Sequence, residues 1–202
     1  MNLSIQTIVD PIIKLSTWLL VLASWTILCS SEIYKQTKTT EIPELSIPSN
    51  ILPPDAVEKL FESSKSVIPF SDVVFLSCSY FIFSTILLGF SIIFFFKGRS
   101  LVLGSDLLFG INFTGTSIFG VFMFHGGVRL VEFYNAYDSV IEVVVKIVKN
   151  SKFIHVDDRI IDASIDELGL EPINTTAVFM IMAGIVSILD VLYQAFRRFF
   201  QK

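Results

Sequence analysis

Two aspartates stand within long apolar stretches of this 202-residue chain, and they are the first candidates for chemistry. If those stretches are membrane helices, Asp106 and Asp190 both lie roughly 8–10 Å below the same membrane face, at a rise of ~1.5 Å per residue. Lys14 enters its own apolar stretch from that face, and two amide side chains accompany the aspartates on the same stretches. We therefore predict an intramembrane polar cluster of Asp106, Asp190, Lys14, Asn112 and Gln194.

This predicted cluster has two interpretations. A charged side chain at the bilayer centre costs about 2.5–3.5 kcal/mol on insertion scales, and such residues often mark proton or ion pathways. In the first interpretation the two aspartates handle protons or ions, and one is kept protonated by the charge of the other. In the second they form structural salt bridges or caps, with Lys14, Arg99 or Arg197 as the counter-charge. The nearness of these basic residues favours the structural interpretation.

Sequence patterns of known catalytic and metal sites are missing from the chain. It contains no HExxH, no CxxC pair, no glycine-rich phosphate loop and no GxSxG. We therefore expect no enzymatic activity, no cofactor and no metal site. A net charge of −4, with no basic stripe, argues against a nucleic-acid partner. Cys29 and Cys78 fall toward the same ends of their stretches, where a disulfide and two buried thiols both fit the spacing.

Hydropathy predicts an integral membrane protein. The chain is 52% hydrophobic with a mean hydropathy of +0.69, and its charges are gathered in a few polar stretches. The four apolar stretches between them are each long enough to span a bilayer as a helix. The predicted fold is all-α, a four-helix transmembrane bundle treated as one membrane domain over 1–202, with spans at about 11–31, 72–96, 101–125 and 175–196.

Small residues on the third and fourth predicted spans indicate where helices pack. Gly104, Thr116 and Gly120 recur at multiples of four residues and so share one face of a helix. Ala183 and Ser187 share a face of the fourth span in the same way. Small side chains let membrane helices approach closely. The third span is therefore predicted to be the central helix of the bundle.

Two polar loops, 32–71 and 126–174, are predicted to form a small helical cap on one side of the membrane. Asp10 is expected to cap the first span, with Pro11 as its first helical residue. The residues His125-Gly126-Gly127 are expected to break the chain after the third span. Short helices are also predicted near 54–65 and 157–168.

The segment 128–150 follows the expected break. Its apolar residues recur at alternating spacings of four and three, which predicts an amphipathic helix, although β-branched residues leave a strand as the alternative for 140–148. The helix can lie in the membrane interface, or it can stand off the membrane and pack on the predicted 54–65 helix or on a partner subunit. Its mixed polar face favours protein packing. The apolar residues are Leu130, Tyr134, Tyr137, Ile141, Val144 and Val148.

Charge placement predicts the orientation of the spans. Basic residues near span ends gather at the two termini and in the 97–100 turn, whereas acidic residues outnumber basic ones in the two loops. By the positive-inside rule, both termini are cytosolic and the loops extracytosolic. We expect no cleavable signal, because Met1–Val9 has no basic residue, and no mitochondrial transit peptide, because the segment lacks arginine. We therefore expect insertion through the first span, in an endomembrane of the secretory pathway such as the endoplasmic reticulum.

These observations lead to two main functional hypotheses, and a third, a lipid-handling enzyme, has no recognisable catalytic residues in the sequence. The first is a non-enzymatic accessory or assembly subunit of a larger membrane complex, whose partners are the lipid bilayer and other membrane protein subunits. The small and polar faces of the third and fourth spans and the packable cap suit that role. The second is a small ion- or proton-coupled transporter or channel that uses Asp106 and Asp190, with Asn112 and Gln194 along a polar path.

Overall fold

The computed structural model describes residues 5–31, 70–150 and 171–200, and all regular structure in these ranges is helical. The four long helices are α1 (Ile5–Ser30), α2 (Phe70–Phe96), α3 (Asp106–Asn150) and α4 (Glu171–Phe200), and a short 3₁₀ turn (Leu101–Leu103) precedes α3. Each of the four is long and apolar enough to cross a membrane. The four helices therefore fit an integral membrane protein.

The helices pack as an antiparallel bundle. α1 lies between α2 and α4, α4 also packs extensively against α3, and contact between α2 and α3 is lighter. Trp18 on α1 donates a 2.9 Å hydrogen bond to Thr85 on α2. Between α2 and α3, the rings of Tyr80 and Phe119 stack with their centroids 5.0 Å apart.

The distribution of polar and apolar residues is the reverse of that in a water-soluble bundle. Large apolar side chains face outward, among them Phe75, Ile86 and Leu192, while many serines and charged residues are buried. The buried apolar core occupies the part of the bundle away from the chain's N-terminus and includes Val21, Leu28, Met123, Leu130 and Met180. An apolar exterior is what contact with lipid requires.

The first helix does not begin where the sequence suggested. It starts at Ile5, so Asp10 and Pro11 lie inside it and the predicted N-cap is wrong. Pro11 lacks an amide hydrogen, so the helix forgoes one backbone hydrogen bond. The Asp10 carboxylate instead accepts a hydrogen bond from Ser100, so it is engaged in tertiary structure rather than in capping.

The third helix begins later and ends much later than predicted. Residues 101–103 form the 3₁₀ turn, and α3 starts at Asp106 and continues through His125-Gly126-Gly127. The predicted break is wrong because α4 approaches the glycines closely. A Cβ atom on Gly127 would lie 2.8 Å from the Ala177 carbonyl oxygen. Each helical glycine costs about 1 kcal/mol relative to alanine, and close packing against α4 offsets this cost.

The α3 helix is 45 residues long, or about 68 Å. Its second half covers 126–150, so the helix predicted over 128–150 is confirmed, but it continues the third span without a break. The strand alternative for 140–148 is wrong because the backbone there is helical. The other spans are observed at 70–96 and 171–200, slightly longer than predicted. The short helices predicted near 54–65 and 157–168 lie outside the described residues.

Candidate functional site: a buried ion-pair network

The side chain of Lys14 joins three helices inside the bundle. Its Nζ atom forms an ion pair with Asp190 on α4 and donates to Asn112 Oδ1 on α3 at 2.6 Å. Thr116 Oγ1 lies at 3.4 Å as a further acceptor. Lys14 is only 5% exposed and Asp190 only 2%, so the pair is buried from bulk solvent and is screened less than a surface pair. The lysine is thus held by oxygens from two helices other than its own.

A second buried ion pair lies nearer the end of the bundle. Arg197 Nη1 is 3.6 Å from the Asp10 carboxylate and donates to Ser100 Oγ at 2.8 Å. Ser100 also donates to Asp10, so the hydroxyl joins both charged groups. The Tyr193 hydroxyl accepts a further bond from Arg197 at 3.1 Å. Together with Lys14 and Asp190, the buried charges sum to zero.

Helical spacing explains why these groups meet. On α1, Asp10 and Lys14 are one turn apart on one face. On α4, Asp190, Gln194 and Arg197 follow at spacings of four and three and share the buried face. Because α1 and α4 run in opposite directions, Asp10 on α1 lies opposite Arg197 on α4. Lys14, one turn later on α1, lies opposite Asp190, which comes earlier on α4. This antiparallel register forms both ion pairs at once.

Asp106 lies outside this network. Its side chain is 95% exposed and pairs with Arg198 at the end of the bundle, so the structure does not bring it to Asp190. Arg198 also donates to the carbonyl of Gly104 at 3.3 Å, and its guanidinium lies 5.1 Å from the centre of the Phe109 ring. Asp106 is the first residue of α3, where the helix dipole also stabilises a negatively charged carboxylate.

Of the five residues in the predicted cluster, the structure brings Lys14, Asn112 and Asp190 into direct contact. Gln194 is fully buried one turn from Asp190 on the same face of α4. Sequence reasoning left Asp10 and Ser100 out of the cluster. The i,i+4 spacing of Asp10 and Lys14 was a usable signal for the first, whereas Ser100 stands in a turn whose path follows from tertiary structure.

The predicted packing residues fall into two groups. Gly120 lies at the closest approach of α3 and α4, because a Cβ atom there would be 2.8 Å from Ser187 Cβ. Ala183 and Ser187 are buried on α4, and Thr116 is buried beside Lys14. Gly104 is different, since it ends the 3₁₀ turn ahead of α3 rather than lying on a packed helical face.

Two further glycines, which were not among the predicted packing residues, form the contact between α3 and α4. Gly184 sits against the backbone of α3 at Phe124 and Gly120, and Gly127 sits against α4 at Ala177. Gly120 and Gly127 are seven residues apart, a spacing that could have indicated the shared face. Ser187 links this contact to α2 through a 2.5 Å hydrogen bond with the Tyr80 hydroxyl.

Within the ranges 5–31, 70–150 and 171–200, no group of three or more histidine, cysteine or carboxylate side chains could hold a metal ion. No disulfide joins Cys29 and Cys78. The groups at the site form ion pairs and hydrogen bonds among amide, hydroxyl, ammonium, guanidinium and carboxylate groups. No family model, curated protein or solved structure matches the chain.

Proposed function

We propose that this protein is a non-enzymatic, multi-pass membrane protein that acts as an accessory or assembly subunit of a larger membrane complex. The observation that carries the proposal is the length of α3. Residues 106–135 suffice for a span, yet the helix continues unbroken to residue 150. We call residues 136–150 the α3 arm. Its 15 residues add about 22 Å beyond the span.

The α3 arm has the properties of a docking element for protein. A continuous helix cannot turn through a right angle, so an arm that extends a membrane span projects from the membrane instead of lying on it. In the sequence, Ile141, Val144 and Val148 continue the apolar period that begins in the span. An apolar helical stripe that projects into water is stabilised by burial against another protein.

The buried ion pairs support a structural role for the bundle itself. Lys14 with Asp190, and Arg197 with Asp10, neutralise one another inside the helices. Such pairs fix which helices meet and in what register, as buried polar groups do in other helical assemblies. A fixed and electrically neutral bundle is a suitable anchor for an arm that binds a partner.

The orientation and location belong to the same proposal. The bundle end that carries Lys97, Arg99 and Arg198 is its basic end, and the positive-inside rule places this end and both termini in the cytosol. The α3 arm then projects on the extracytosolic side, where it forms part of the helical cap. Insertion through α1 suits an endomembrane of the secretory pathway, including the endoplasmic reticulum.

Photo-crosslinking from the α3 arm tests the proposal. A photoreactive phenylalanine analogue replaces Ile141 or Val148 on the apolar stripe, and Asp138 or Ser139 on the exposed side serves as the matched control. After irradiation of intact membranes, we expect a discrete heavier adduct from the stripe positions, and mass spectrometry identifies a second membrane protein in it. If stripe positions crosslink only within the chain itself, its own loops cover the arm and the proposal fails.

A small ion- or proton-coupled transporter is the second candidate, because Lys14 and Asp190 are charged groups buried within spans. In this version Asp190 holds the transported charge, and Asp106, paired with Arg198, stands at the mouth of the path. Proteoliposomes that hold the purified chain decide between the candidates. Flux that is lost in Asp190→Asn and reduced in Asp106→Asn supports transport, and flux that survives the double replacement excludes these aspartates from transport.

A further inference from the structure

The side-chain amide of Gln194 lies fully buried between the two ion pairs. Neither its Oε1 nor its Nε2 atom has a hydrogen-bond partner among residues 5–31, 70–150 and 171–200. On α4 it follows Asp190 by one turn and precedes Arg197 by three residues. Burying an amide without hydrogen-bond partners is unfavourable, so such groups are rarely left without one.

Two neighbours of the Lys14–Asp190 pair share this property. Asn112 accepts from Lys14 through Oδ1, but its buried Nδ2 atom has no acceptor in the part of the chain that the structure describes. The buried Thr17 hydroxyl, three residues after Lys14 on α1, likewise has no partner there. Unfilled donors and acceptors therefore come from three helices, α1, α3 and α4, around one buried ion pair.

The connected polar region around the two ion pairs reaches the bundle end that holds Arg197 and Ser100. From Lys14 and Asp190 it continues past Gln194 to Arg197 and Ser100, beside the turn that leads into α3. In the other direction it ends at the hydrogen bond between Ser187 and Tyr80. Beyond that bond the buried side chains are mainly apolar and include Val21, Met123, Met180 and Ala183. The buried hydroxyls of Ser24 and Thr176 there donate to carbonyls of their own helices, and the buried Ser77 hydroxyl has no partner among the described residues.

We infer that water occupies this region, hydrates Gln194, Asn112 and Thr17, and enters only from the bundle end that holds Ser100 and Arg197. A buried water typically makes two to four hydrogen bonds to polar groups that protein atoms leave unsatisfied. The unfilled donors and acceptors described above are of that kind. A metal cation fits this region less well than water does, because the Lys14–Asp190 and Arg197–Asp10 pairs already balance each other's charges. The bundle thus contains a one-ended aqueous inlet that stops at the apolar layer.

Cysteine accessibility in the full chain tests the inlet. In a background with Cys29→Ser and Cys78→Ser, the Gln194→Cys variant is compared with Met180→Cys, since both positions are fully buried on α4 and lie on opposite sides of Ser187. The reagent is the silver ion, which is small and reacts from water, and unreacted thiols are counted by maleimide labelling after denaturation. Arg99→Cys, at an exposed position of the basic turn, reports which membrane face the reagent reaches.

We expect Gln194→Cys to react at least about tenfold faster than Met180→Cys, because thiols react as hydrated thiolates. It should do so only from the face at which Arg99→Cys reacts. Equal, slow reaction of the two buried variants overturns the inference, as does reaction from the opposite face. If Gln194→Cys does not fold, the thermal midpoint of Gln194→Met tests the inference instead. A thermal midpoint above that of the parent chain shows a dry amide and overturns the inference, whereas a lower midpoint supports a hydrated one.

Discussion

Replacing Lys14 by methionine is expected to destabilise the bundle by about 3–5 kcal/mol, the usual cost of leaving a buried charge without its partner. The Asp190 carboxylate, 2% exposed, would then lack its ammonium partner, and Asn112 Oδ1 would lose its donor. Thermal unfolding in mild detergent, followed by near-ultraviolet circular dichroism, measures the loss of packing between helices. Methionine keeps the length of the lysine stem, so the change is mainly one of charge.

The double variant Lys14→Met/Asp190→Leu is the critical comparison. It removes both charges together, and buried pairs replaced by apolar residues of similar size are often neutral or stabilising. We expect it to recover most of the lost stability. Asp106→Asn is the matched control, because Asp106 is 95% exposed and should leave the thermal midpoint unchanged. A single Lys14→Met variant as stable as the parent chain would show that Lys14 and Asp190 do not lock the bundle.

The second large effect is expected from a single methyl group at Gly184. In Gly184→Ala the new Cβ would lie 2.7 Å from Phe124 Cβ, 2.8 Å from Phe124 N and 2.9 Å from the Gly120 carbonyl oxygen. Two of these atoms belong to the α3 backbone and cannot rotate away, so α3 and α4 must separate. We expect a destabilisation of about 1–3 kcal/mol or more, the usual range for overpacking. The thermal midpoint and the elution volume on sizing measure it.

Gly89→Ala is the control for this substitution. A Cβ atom at Gly89 on α2 meets nothing within 4 Å, and the position is exposed. Alanine there gains helix propensity, so the variant should match the parent chain or exceed it by up to about 1 kcal/mol. If both alanine variants behave alike, α3 and α4 do not approach each other at Gly184 as the structure shows.

The helical class and the four apolar helices were predictable, because long apolar runs have few other solutions in a membrane. The meeting of Lys14, Asn112 and Asp190 was partly predictable, since each lies at a similar depth in its span. The separation of Asp106 from Asp190 was not predictable. The residue at which α3 begins decides whether the Asp106 side chain faces into the bundle or outward, and the sequence pattern does not locate that residue closely enough. Here the 3₁₀ turn at 101–103 delays α3 and leaves Asp106 at its exposed first position.

The break predicted at glycines 126 and 127 was wrong because of a contact between helices that the sequence does not reveal. In isolation two adjacent glycines indicate a break, because each weakens a helix. The sequence does not state that α4 passes close enough to occupy the space that their missing side chains leave. The continuous α3 helix, and therefore the arm on which the functional proposal rests, depends on that tertiary contact.

The composition of the particle that the tagged 202-residue chain forms on extraction in mild detergent tests the functional proposal most directly. Native mass measurement combined with mass spectrometry of the subunits gives both size and stoichiometry. We predict at least one different membrane protein in a fixed ratio, and we predict its loss when Ile141 and Val148 in the α3 arm are replaced by glutamate. A particle that contains only this chain, whether monomer or homo-oligomer, would contradict the account.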